Sequence, residues 1–139
     1  HTATPEHPPR TATFRNGEAM SLRELQDLLA DFARARDWEQ FHTPKNLAMA
    51  LAGEVGELLE IFQWLDPEES AALMRSPEQA KAVAEEMADV LSYLLRLADV
   101  LDIDLAQALR DKMEINEKRF PVHLSRGSAR KYRTRTTDG

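Results

Sequence analysis

This 139-residue sequence predicts an all-α fold, a bundle of four main helices and one short helix. Two observations carry that reading. Apolar residues recur at helical spacing through every long segment, and no segment shows sustained strand alternation or a hairpin turn. Each periodic segment also opens on Ser, Thr or Asp, followed by Pro or by Glu or Gln three residues on, which is how helices start.

The elements follow in order. Residues 1–20, rich in Pro, Thr and polar side chains, read as a flexible leader. Ser21 with Glu24 forms a capping box for a helix to about Arg36, with Leu22, Leu25, Leu28, Leu29 and Phe32 as its apolar face. Asp37 to His42 is a loop carrying Trp38, Phe41 and His42. Thr43-Pro44 restarts a helix that runs to about Leu65. Gly53 and Gly56 lie inside it at about 1 kcal/mol each against Ala, and would permit close approach of a neighbouring helix or ligand. Asp66-Pro67-Glu68-Glu69 caps a short helix to about Arg75. Ser76-Pro77-Glu78-Gln79 caps a long one to about Leu101, with Val83, Met87, Val90, Leu91, Leu94 and Leu97 on its apolar face. Asp104 with Gln107 caps a last helix to about Arg119, with Leu105, Leu109 and Met113 inward, and Phe120-Pro121 stops it. The bundle domain spans residues 21–121. Residues 122–139, with Arg126, Arg130, Lys131, Arg133 and Arg135, read as a basic tail.

Composition narrows the function. The hydrophobic fraction of 42% suits a soluble globular domain, and a net charge of −6 argues against nucleic acid as the partner. The chain has no cysteine, which excludes a disulfide scaffold and a thiolate metal site. Residues 1–20 lack the apolar run of a secretory signal, so a cytoplasmic location is expected. The apolar stretch Leu47 to Leu65 is long enough to suggest a membrane span, but its three glutamates argue against one.

Those glutamates are the chemical signal. Glu54, Glu57 and Glu60 are the only charges between Leu47 and Leu65, and Glu85, Glu86 and Asp89 lie between Ala82 and Leu95 with no Lys or Arg nearer than Lys81 and Arg96. Buried carboxylates without a counter-charge are protonated, paired or bound to a cation. Glu54/Glu57 and Glu86/Asp89 each share a helix face, so two facing helices would bring four carboxylates together. From the residues alone, two readings stand: a shared metal site, or an acidic helix edge at a subunit interface. Oxygen-only ligands suit a hard cation, Mg²⁺ first and Mn²⁺ as a substitute, and phosphate-anhydride hydrolysis is the chemistry such a site favours. Glu114/Glu117 has the same spacing but reads as a solvated face.

Glu54-x-x-Glu57 followed by Glu86-x-x-Asp89 resembles the metal signature of the MazG-like all-α nucleoside triphosphate pyrophosphatases. The segments 36–64 (RDWEQFHTPKNLAMALAGEVGELLEIFQW), 85–98 (EEMADVLSYLLRLA) and 112–132 (KMEINEKRFPVHLSRGSARKY) are similar to the dCTP-hydrolysing members of that family, and the resemblance covers roughly residues 21–132. It implies Mg²⁺-dependent hydrolysis of a nucleoside triphosphate, dCTP or a modified dCTP favoured, to monophosphate and pyrophosphate. It also implies a homotetramer whose site is shared between protomers. By the same resemblance, Glu54, Glu57, Glu86 and Asp89 are the catalytic metal ligands. Trp38 and Trp64 carry over as base-pocket aromatics, and His42, Tyr93, Lys112 and Asn116 as residues near the nucleotide. Without the resemblance Trp38 and Trp64 read as core aromatics and Lys112 as a surface lysine. Position 29 departs: the dCTP-hydrolysing members place a His there, and this chain has Leu29, which leaves dUTP or another nucleotide open as substrate. A non-catalytic helical interaction module is the remaining alternative.

Overall fold

The computed structural model describes residues 19–129, which form helices joined by short turns, with no β-strand element among them. Two compact units result, one ending at Leu101 and the other beginning at Asp102.

The first unit holds α1 (Leu22–Ala35), a 3₁₀ turn (Glu39–Phe41), α2 (Pro44–Phe62), α3 (Pro67–Ala72), a second 3₁₀ turn (Leu73–Arg75) and α4 (Pro77–Val100). Each start expected from the sequence is made. The Ser21 hydroxyl accepts from the Glu24 N–H, Thr43 from Asn46, Asp66 from Glu69 and Ser76 from Gln79. These bonds satisfy backbone donors that a helix start leaves orphaned. α1 and α4 are each followed by an aspartate in the left-handed region, Asp37 at φ 54° and Asp102 at φ 56°. Aspartate tolerates that region better than most residues, and it turns the chain sharply out of the helix.

α4 is the spine of this unit. α2 packs along it, and α1 and the second 3₁₀ turn lie on it as well. The buried core is small: Ala33, Leu47, Val83, Leu95 and Ala98. Gln26 of α1 is the one buried polar side chain among the described residues, and its amide donates to the Leu95 carbonyl at 3.0 Å. That bond registers α1 on α4 and leaves no orphaned amide in the core.

Several of the apolar faces read from the sequence stay uncovered. Leu22, Leu28 and Phe32 on α1 and Met87, Leu91 and Leu94 on α4 are exposed in the single chain. Periodicity marks which face of a helix is apolar, but the small first unit has too few helices to cover all of those faces. A Cβ added at Gly53 or Gly56 would meet nothing within 4 Å, so the close approach these glycines suggest is not made within the chain.

The second unit contains α5 (Leu105–Arg119) and the one-turn α6 (Val122–Ser125). Asp104 caps α5 through the Gln107 N–H, as expected. Leu109 and Met113, expected inward, are exposed. α6 lies where only a basic tail was expected. A single turn carries no periodicity and so leaves no trace in the pattern. The leader up to residue 18 and the tail residues Arg130, Lys131, Arg133 and Arg135 fall outside the described residues. No described helix is long and apolar enough to cross a membrane.

Candidate active site

α2 and α4 lie side by side, and their facing surfaces bring Glu54, Glu57 and Glu86 together. One carboxylate oxygen from each lies within 4.8 Å of the others. Glu54 Oε2 and Glu86 Oε2 are buried with no hydrogen-bond partner. No Lys or Arg forms an ion pair with Glu54, Glu57, Glu86 or Asp89 among the described residues. Glu85, beside Glu86 in sequence, points elsewhere and pairs with Lys81 at 3.7 Å.

Crowding of like charges shows in the proton affinities. A carboxyl–carboxyl hydrogen bond with Glu57, burial, and the charges of Glu57 and Asp89 push the Glu54 carboxyl up to about 7. Burial, then the neighbouring Glu57, raises Glu86 as well. Asp89 is close enough to act on both glutamates electrostatically, but its carboxylate lies outside the three-oxygen group.

A cleft of about 320 Å³ adjoins this cluster, lined by Glu54 and Asp89 together with Leu29, Phe32, Trp38, His42, Ser92, Tyr93 and Arg96. That volume is at the small end of ligand-sized cavities. Trp38 and Phe32 pack in a T-shaped arrangement with ring centroids 5.7 Å apart, and the Arg36 guanidinium lies over the Phe32 ring at 3.5 Å. The Trp38 N–H of the backbone donates to the Ala33 carbonyl at 2.9 Å, which pins the turn after α1. His42 follows the 3₁₀ turn, and its Nδ1 accepts from Arg96 Nε at 3.0 Å. Burial and the Arg96 charge hold the His42 imidazole below its ordinary range. The Ser92 hydroxyl donates to the Ala88 carbonyl at 2.8 Å.

Of the residues singled out from sequence, the first unit thus gathers Glu54, Glu57 and Glu86 in one group, and Trp38, His42, Tyr93, Asp89 and Glu54 along one cleft. Trp64, beyond the end of α2, does not line the cleft and is 86% exposed. Lys112 and Asn116 are on α5 in the second unit, one helical turn apart. Sequence reasoning missed Arg96 and Ser92. The signal for Arg96 was present: it is the one basic residue between Ala82 and Leu101, inside an otherwise apolar and acidic helix.

An oxygen-only donor set with two buried, partnerless oxygens and no balancing cation side chain fits a hard divalent ion. Glu54, Glu57 and Glu86 are placed to hold it, with Asp89 beside them.

Residues 50–134 match the family model described as MazG-like. The dCTP pyrophosphatase 1 of Bos taurus is 50% identical over 122 residues, 88% of this chain and 72% of the bovine protein. The dCTP pyrophosphatase 1 of Homo sapiens is 50% identical over 112 residues, 81% of this chain and 66% of the human protein. The crystal structure of a pyrophosphatase from Archaeoglobus fulgidus aligns with a TM-score of 0.68 at 44% identity, covering 75% of this chain and 95% of that one.

Proposed function

The chain belongs to the MazG-like family and is a nucleotide pyrophosphatase, and from that premise we propose that it hydrolyses dCTP or a modified dCTP to dCMP or its modified form and pyrophosphate, with Mg²⁺. The observation that carries this reading is a single cleft lined both by the aromatic rings of Trp38 and Phe32 and by the acids Glu54 and Asp89. Aromatic faces suit a stacked base, and the acid cluster suits a cation that accompanies its phosphates. The enzyme class displaces the reading as a non-catalytic helical module.

In this reading Glu54, Glu57, Glu86 and Asp89 hold the cation, with Mn²⁺ able to replace Mg²⁺. The bound ion supplies charge neutralisation for the phosphates and a more acidic water. The protein's own groups do the rest. Trp38, His42 and Tyr93 hold and orient the base and sugar. A carboxylate of the cluster takes the proton from the attacking water. A new O–P bond forms at the α-phosphorus as the bridge to the β-phosphorus breaks, and pyrophosphate leaves with that electron pair. The resemblance gives Lys112 as a phosphate partner and Asn116 as a hydrogen-bonding group for the nucleotide, both on α5.

The proposed assembly is a homotetramer. It is supported by the exposed apolar faces of α1, α2 and α4 and by the exposure of Trp64; in the proposed assembly the Trp64 indole serves a neighbouring protomer's pocket. The proposed location is the cytoplasm, in keeping with its dCTP pyrophosphatase relatives. Leu29 lines the cleft, and this favours one second reading, in which dUTP or another nucleotide is preferred.

Chromatographic product analysis tests the reaction. The protein is incubated with Mg²⁺ and each common NTP and dNTP, plus 5-methyl-dCTP. The expected result is monophosphate and pyrophosphate in equal amounts, fastest with a cytosine deoxynucleotide and absent after chelation. Release of inorganic phosphate instead would overturn the proposed cleavage point, and a faster uracil or purine nucleotide would replace the substrate.

A further inference from the structure

We propose that Arg96 is a positioning residue for base recognition: it locks His42 in the neutral form whose proton is on Nε2, and so fixes a hydrogen-bond donor on the wall of the cleft. The inference deepens the proposed function and rests on it.

The argument starts from what each group can do. A guanidinium has only donors, so the imidazole nitrogen facing it must present a lone pair. That nitrogen is Nδ1, 3.0 Å from Arg96 Nε. The neutral ring then carries its one proton on Nε2, which has no partner among the described residues. A ring free to rotate and exchange tautomers would offer Nε2 as donor in one state and acceptor in the other. Arg96 removes the second state.

Arg96 is itself held. Its side chain is only 11% exposed, and its Nη1 approaches Asp99 at 3.4 Å. Asp99 is gripped from the other side by Arg23 of α1 at 3.0 Å. The line Arg23, Asp99, Arg96, His42 therefore ties α1, α4 and the turn before α2 to one ring orientation. The neighbouring Ser92 gives its hydrogen to the Ala88 carbonyl, which leaves its oxygen an acceptor. The wall thus carries a fixed donor and a fixed acceptor. Such a pair suits a nucleobase that offers both an acceptor and an N–H.

The experiment uses the ¹⁵N-labelled full chain at about pH 8, where a histidine is neutral. Long-range ¹H–¹⁵N correlation spectra read which ring nitrogen carries the proton, with His42→Gln assigning the signals. The wild type is expected to show a protonated Nε2 and a bare Nδ1 at His42. Arg96→Met is expected to give an averaged tautomer signature and a KM raised about tenfold, the loss of roughly one hydrogen bond, with kcat nearly unchanged. Arg96→Lys, which restores a donor, should recover both. Asp99→Asn, which loosens Arg96 without removing it, should shift the spectrum in the same direction and stands in if Arg96→Met does not fold. A proton on Nδ1 in the wild type would overturn the proposal. So would a wild-type spectrum and KM in Arg96→Met. The spectra need no nucleotide, so a protein that shows the lock but hydrolyses nothing would sink the pyrophosphohydrolase reading and leave the tautomer assignment standing.

Discussion

Glu54 and Glu86 each bury an oxygen that nothing among the described residues satisfies, an arrangement that costs stability unless something positive arrives. This has a signed consequence. The folded chain holds the Glu54 proton up to about 7, whereas the ordinary value is 4.5. The folded state therefore binds the extra proton between those limits. The associated stability is complete below about pH 4.5 and lost as the pH rises toward 7. The metal-free melting temperature is expected to fall between about pH 5 and pH 8 in a thermal scan, and the fall should be shallower in Glu54→Gln. Added Mg²⁺ should restore more stability at pH 8 than at pH 5, because the ion needs the ionised carboxylates. Glu86→Gln is expected to lower pyrophosphate release by at least about 100-fold, the scale of removing one preorganised charge from an active site. Its circular dichroism should remain helical, since the acids contribute no core packing. Near wild-type turnover in that variant would dismiss the cluster as the reaction centre.

At the scale of elements, α4 carries the stability and the chemistry together. Its Leu95 is 2% exposed, as buried as Leu47 of the α2 helix packed along it, and the Leu95 carbonyl accepts from α1's Gln26. Leu47→Ala should cost about 2–5 kcal/mol, read as a lowered denaturation midpoint, and should take activity with it because α2 and α4 then lose their register. The helices were legible from sequence because their signals are local. Ser21, Thr43, Asp66, Ser76 and Asp104 each cap the helix they announce. The acids were legible because a run of glutamates without a basic neighbour is rare on an apolar helix. What could not be read was what depends on two distant segments meeting. Arg96 finds His42 only because the turn after α1 folds back over α4, and no spacing in the sequence states that contact. The exposure of Leu28, Phe32, Met87 and Leu91 has a related cause. An apolar stripe says that a face is to be covered, and not that this chain covers it.

At the scale of the whole molecule, the exposed stripes call for a partner surface. Val55 and Leu59 on α2 are 47% and 57% exposed, with Gly53 and Gly56 open beside them. Light scattering of the wild type should give four times the 15.8 kDa chain mass. Leu59→Asp places a charge in that face and should reduce the mass to a smaller species, with activity falling in parallel where the site is shared. An unchanged mass in that variant would remove α2 from the interface. The exposure of Trp64 has a practical corollary. The chain has two tryptophans, one beside the acid-bearing cleft and one standing free at the end of α2. Indole emission shifts to the blue when the ring leaves water, so the protein carries two intrinsic optical reporters in separate places. With Trp38→Phe, and no nucleotide present, the remaining emission colour follows subunit association on dilution. With Trp64→Phe the remaining quenching follows nucleotide occupancy. The two processes can thus be timed separately in one stopped-flow instrument without attaching a dye.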